Sequence, residues 1–153
     1  MARYSASNSK TNTASATVPM WNVCNPPSGT LRRGALYQLI IGSDATPADV
    51  AAKFVLQRTT ADGTISTAFT ATALDPADPA AIEVCNLTWS VNPTITASSD
   101  LLTIGMNGRA TVIWTAPPYG EIRWPATAEY GVALMCTVAS TAQNFNFNEF
   151  WEE

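Results

Sequence analysis

The chain contains no histidine. Ser-His-Asp and Cys-His nucleophilic catalysis, histidine general bases and most catalytic zinc sites are therefore excluded. Charge is scarce as well. Asp, Glu, Lys and Arg make up 13% of 153 residues, about half the usual share of roughly 25%. A soluble monomer covers itself with charge. A surface this poor in it belongs to a chain that sister subunits or a larger assembly cover, or to one whose polarity comes from Ser and Thr hydroxyls. Only eight residues are Lys or Arg, and the net charge is −4. Sequence-independent binding of phosphates needs a cluster of cations, so no nucleic acid partner is expected. The adjacent pair Arg32-Arg33 stands alone, before a strand-like run.

Long apolar runs are missing too. None approaches the ~20 residues that cross a bilayer as a helix, and no membrane partner is expected. Residues 1–17 carry no apolar core of a secretory signal. The three cysteines, Cys24, Cys85 and Cys136, are odd in number and widely spaced. They form neither a disulfide framework nor a zinc-knuckle pattern. Cys85 and Cys136 lie in apolar runs and read as buried thiols acting as small hydrophobes, which suits synthesis in a reducing cytoplasm.

What is present is a β-type text. Residues 1–17 are Ser, Thr, Asn and Ala with almost no large apolar side chain, and read as a flexible N-terminal arm that orders only against a partner. Residues 18–153 read as one domain. Val18–Val23, Leu36–Ile41, Ala51–Thr60, Thr64–Ala73, Ile82–Trp89, Leu101–Met106, Ala110–Ala116, Gly131–Ala139 and the strictly alternating Asn144–Asn148 are strand candidates. Ala61-Asp62-Gly63 and Asn107-Gly108 are turn signals, each predicting a hairpin between its flanking runs. Asp75-Pro76-Ala77-Asp78-Pro79 forbids a long helix. The expected fold is all-β: a single sandwich or jelly roll of about eight antiparallel strands with a polar N-terminal arm.

Chemistry is hard to find. Most of the twelve acids fall in turns or near residue 153, and Glu83, at a strand start, is the exception. No carboxylate pair with the spacing logic of a glycosidase stands out. Asp75 and Asp78 read as turn caps rather than calcium ligands, because no Asp-rich loop supplies six to eight oxygens. No glycine-rich phosphate loop appears. The reading is therefore no enzyme, no cofactor and no metal. The five tryptophans can serve a core or an interface. Trp89 and Trp114 read as core. Trp124, in the loop Tyr119–Pro125, is the leading contact candidate, and Tyr4, Trp21, Arg32, Arg33, Tyr119 and Arg123 complete the expected interface set.

The order of short motifs resembles a family. Pro19-Met20-Trp21 is followed by Phe54–Thr60 with Asp62-Gly63-Thr64, by Leu74-Asp75-Pro76 and by Ile113–Ala116. Trp124–Ala128 with Gly131–Leu134 and the ending Phe150-Trp151-Glu152-Glu153 complete the set. Together they are similar to small tailed-phage virion proteins of the capsid decoration, or cement, type. The resemblance implies a jelly-roll sandwich bound outside the capsid shell as a homotrimer, with the major capsid protein and sister subunits as partners. It implies location on the virion after synthesis in a bacterial cytoplasm. It brings no catalytic residues. Where Thr127–Tyr130 stands here, the family often has a glycine. Removal of residues 2–17 is expected to leave the sandwich folded and weaken attachment. Two alternatives stay open: another virion component, such as a head-fibre base or tail protein, and a carbohydrate-binding module.

Overall fold

A computed structural model describes residues 1–44 and 46–153. Among them there is no helix. The strands in chain order are β1 (Arg3–Thr11), β2 (Pro19–Cys24), β3 (Gly34–Ser43), β4 (Ala51–Ala61), β5 (Thr64–Phe69), β6 (Ala71–Ala73) and β7 (Val84–Val91). They continue with β8 (Thr94–Ile95), β9 (Leu102–Asn107), β10 (Val112–Thr115), β11 (Ile122–Trp124), β12 (Gly131–Ala139) and β13 (Asn144–Glu152). Six form one sheet in the order β10-β3-β13-β1-β6, with β11 also on β3. Seven form the other in the order β5-β7-β2-β12-β4-β8, with β9 also on β4. Every pairing is antiparallel.

The two sheets share one core. Strict alternation in β13 turns Phe145, Phe147, Glu149 and Trp151 inward, all fully buried. Phe54 of β4 meets Phe145 and Phe147 edge-on, with ring centroids 5.0 and 5.7 Å away. These contacts tie the sheets across the interior with the geometry aromatic pairs prefer. Trp21, Leu56, Val132 and Leu134 fill the seven-stranded side, and Tyr4, Leu36, Leu39 and Ile41 the six-stranded side. Cys24, Cys85 and Cys136 are unpaired and buried.

Four expectations need correction. Residues 3–11 are not an arm: β1 pairs with β13 along its whole length and with β6 on its other side. Its Ser, Asn and Thr side chains supply little apolar area, but main-chain hydrogen bonds need none. Tyr4 and Ala6 give it an inward anchor. Residues 1–2 and 12–18 lie outside the strands. Removing residues 2–17 would therefore take out a strand bonded on both sides, so the expected tolerance of that deletion does not hold.

Among the described residues the strands number thirteen rather than about eight, because β1 lies in the expected arm, β8 and β11 lie in segments that read as loop, and the run Thr64–Ala73 divides into β5 and β6. The two hairpins do not form either. β4 and β5 belong to one sheet but lie well apart in it. Asp62 is buried, and the Asn86 amide donates to both its carboxylate oxygens at 3.0 and 2.8 Å. That contact carries the turn over to β7, where β5 pairs. Likewise β9 pairs with β4 and β10 with β3, in different sheets. At Asn107-Gly108 the Asn107 carboxamide caps the Arg109 amide at 2.9 Å and Gly108 has no positive φ. This is a side-chain-capped turn rather than a tight hairpin turn.

Candidate interaction surface

The outer face of the six-stranded sheet follows from the alternation of its strands. β1 and β13 send Ser5, Ser7, Ser9 and Asn146, Asn148, Phe150 outward, opposite the buried set. β3 and β10 add Gln38, Ile40, Ile113 and Thr115. The registers align these into rows. One row runs Ser7, Asn148, Ile40, Ile113, and the next runs Thr72, Ser5, Phe150, Gln38, Thr115. A third runs Ser9, Asn146, Gly42. No side chain in these rows is charged. Ser7 donates its hydroxyl hydrogen to Asn148 Oδ1 at 2.6 Å, and Gln38 donates to Thr115 Oγ1 at 3.2 Å. Ile113 is 62% exposed. With strands about 4.8 Å apart and like-facing residues about 6.8 Å apart, this face spans on the order of 500 Å².

Charge returns only at its rim. Arg3 lies 5.3 Å above the Tyr37 ring and 3.7 Å from Glu152. Tyr37 packs against Phe150 with centroids 6.4 Å apart. Arg33 and Arg123 line a small cleft of about 130 Å³ with Glu152. Arg123 also pairs with Glu121 at 3.1 Å. A larger cleft of about 500 Å³ joins Arg32 to Tyr4, Asp78, Ile82 and Glu153. Tyr119, 96% exposed with φ 63°, stands on the Pro117–Gly120 turn, which the Gly120 amide closes onto the Pro117 carbonyl.

The expected interface residues thus divide. Arg32, Arg33, Tyr119 and Arg123 are at the surface. Tyr4, Trp21 and Trp124 are buried at 1%, 0% and 2% exposure, which corrects their assignment as contact residues. Trp124 was expected in a loop with few apolar anchors. Instead β11 pairs with β3, and its ring lies directly over Gly34, where an added Cβ would collide with it. Its Nε1 donates to Glu83 Oε1 at 2.7 Å.

Glu83 leads to what the sequence did not reveal: a cluster of buried carboxyl groups. Glu153 accepts from the main-chain amides of Ile82 and Glu83 at 2.7 and 3.1 Å. Burial pushes the Glu83 carboxyl up to about 9, the Glu153 charge adds to the rise, and the Trp124 hydrogen bond opposes it. Glu149, on the inward face of β13, accepts from the Asn8 amide at 3.0 Å. Burial pushes it up to about 8. Both carboxyls therefore hold their proton at neutral pH. Glu153 lines the larger cleft and Glu83 lines a different one with Ala81 and Cys85, so the two carboxyls do not face a common cavity. Lys10 caps the other end of β1, donating to the carbonyls of Pro19 and Leu87 at 2.9 and 2.6 Å over the Trp89 ring. Burial lowers its ammonium to about 8. Asp75 caps its own turn at the Ala77 amide, 2.9 Å away. Set against known protein families, curated proteins and solved structures, the chain matches none.

Proposed function

We propose that this chain is a structural virion protein, a decoration or cement protein that binds the outside of a phage capsid as a homotrimer and stabilises the shell. The observation that carries the reading is the wide, uncharged outer face of the six-stranded sheet, exposed or half-buried in the single chain. A face of that kind loses little by desolvation and suits a neighbour in an assembly. Its ~500 Å² is of the order of the roughly 800 Å² that each partner contributes to a standard interface.

The strand order supports the jelly-roll form of the reading. β1-β13-β3-β10 and β2-β12-β4-β9 are neighbours in their sheets. That is two four-stranded sheets between which the chain alternates except at the step from β4 to β9, an arrangement like that common in viral capsid and lectin domains. The remaining strands, β5, β6, β7, β8 and β11, are additions to that frame. A sugar-binding role would need several exposed aromatics on one face. Trp21, Trp124 and Trp151 are buried, which weighs towards attachment to protein. A decoration protein acts by linkage, binding the mature lattice better than the loose one, and a trimer multiplies modest contacts.

Co-sedimentation with shells that lack the protein, in compact and expanded form, tests the reading. Saturable binding to expanded shells with a higher shell melting temperature is expected. Asn148→Lys, which puts a charge in the middle of the face, should weaken binding at least tenfold while the chain stays folded. Absence of binding to either shell form overturns the proposal. A copy number of a few per particle, rather than hundreds, moves the chain to the fibre base or tail.

A further inference from the structure

Free sheet edges invite pairing, and folded proteins blunt them with shortness, bulges, charge or proline. Most edges here are blunted. β6, β8, β10 and β11 have two to four residues each. β5 is longer, but its register against β7 slips at three points. β9 is different. Its six residues, Leu102 to Asn107, pair with β4 in unbroken register and include no charge and no proline. Among the described residues its far side has no partner strand.

The ladder fixes which groups point that way. Gly108 donates its amide to the Val50 carbonyl at 2.8 Å, continuing the β9–β4 register. Alternate residues share that orientation, so Leu102, Ile104 and Met106 bond to β4, and Thr103, Gly105 and Asn107 turn main-chain groups to the free side. Gly105 is exposed, with nothing within 4 Å of where a Cβ would stand.

We propose that β9 pairs antiparallel with β9 of a second copy across a two-fold axis, joining two seven-stranded sheets into one. The flanking charges select that occupant and that direction. Asp100 precedes the strand and Arg109 follows it. Pairing through Thr103 and Gly105 in antiparallel sense sets Asp100 within about one residue of the second copy's Arg109, at both ends. Parallel pairing would set Asp100 against Asp100 and Arg109 against Arg109. The inference is independent of the shell reading, and a trimer built on the sheet face leaves this edge open.

Light scattering and sedimentation over a concentration series test it on the full chain. The native chain should reach twice the mass of its unpaired form. Asp100→Arg and Arg109→Asp should each weaken pairing about tenfold, from like charges at both ends, and the double swap should restore it. Gly105→Pro removes an outward amide while sparing the bonds to β4, and should leave folded, unpaired chains. A native chain with no concentration-dependent doubling overturns the proposal. So does pairing that survives Gly105→Pro, or a double swap no stronger than either single.

Discussion

β1 and β12 hold interior positions in their respective sheets, yet their sequences have little in common. β12 is buried on both faces from Gly131 to Cys136, and it reads as a continuous apolar run. β1 is buried only at Tyr4 and Ala6 and otherwise shows Arg, Ser, Asn, Lys and Thr. The difference lies in what supplies the apolar area. β12 brings its own. β1 borrows it from β13, whose inward Phe145, Phe147 and Trp151 cover the space beside it; Trp151 stacks on Tyr4 with centroids 5.9 Å apart. A strand can therefore sit inside a sheet on main-chain pairing plus a single aromatic anchor, provided that its neighbour carries the hydrophobic load.

That borrowed interior has a weak point, and pH exposes it. On the inward face of β13, beside β1, stands Glu149, and Glu83 lies near the same end as Tyr4 and Trp124. Each carboxyl keeps its proton in the folded chain, up to about 8 for Glu149 and about 9 for Glu83. Unfolded, each releases it near the ordinary 4.5. Between those values the folded chain binds more protons than the unfolded one, so stability falls as pH rises. The contribution is complete below about pH 4.5 and is lost as pH climbs through 8 to 9. The slope is up to about 1.4 kcal/mol per pH unit for each carboxyl, and the cumulative loss is several kcal/mol. Urea denaturation at pH 5, 7 and 9 should show a steep decline, flattened in Glu149→Gln, whose neutral amide keeps the shape. A flat profile in the native chain would mean that the six-stranded side hides no such penalty.

This also shows where sequence reading succeeded and where it stopped. The all-β class was legible because turn residues punctuate short β-rich runs and no segment has a helical period. The alternation Asn144–Asn148 gave β13 its faces correctly. β1 was missed because its stability comes from a partner far away in sequence, and composition alone made it look like an arm. The hairpins failed for a similar reason: Asp62 is drawn to Asn86 and Asn107 to its own turn, so local turn chemistry was present but served other connections. The outer face left a trace in the sequence as low charge, though which strands align into rows is a property of register. Trp124 and Glu83 looked like separate loop and strand-start residues, and only their 2.7 Å hydrogen bond joins them.

The second expected effect tests the side that brings its own apolar area. Leu134 of β12 is 1% exposed and lies opposite Leu56 and Trp21 in the two flanking strands. Leu134→Ala removes buried methyl groups from a site hemmed in by strands on both sides, where collapse is limited. The expected cost is about 2–5 kcal/mol, with the denaturant slope unchanged. A loss below about 1 kcal/mol would mean that β12 relaxes more readily than its two-sided burial implies, and the contrast with β1 would narrow.

The smallest effect is expected on the outer face of β1 itself. Ser7 is exposed, and its hydroxyl reaches Asn148 Oδ1 at 2.6 Å in a hydrogen bond that water can replace. Ser7→Ala leaves the main-chain ladder to β13 intact and opens no cavity, so the change should lie within about 0.5 kcal/mol. The ratio of the Leu134 to the Ser7 cost is then the quantitative form of the comparison, and thermal melts on dilute protein give it directly. Dilution matters, because a Ser7→Ala cost that appears only at high protein concentration measures contact between copies rather than folding. If the cost is several kcal/mol even in dilute single chains, the face is already packed against something within the chain. The uncharged rows could then no longer be the surface that an assembly covers.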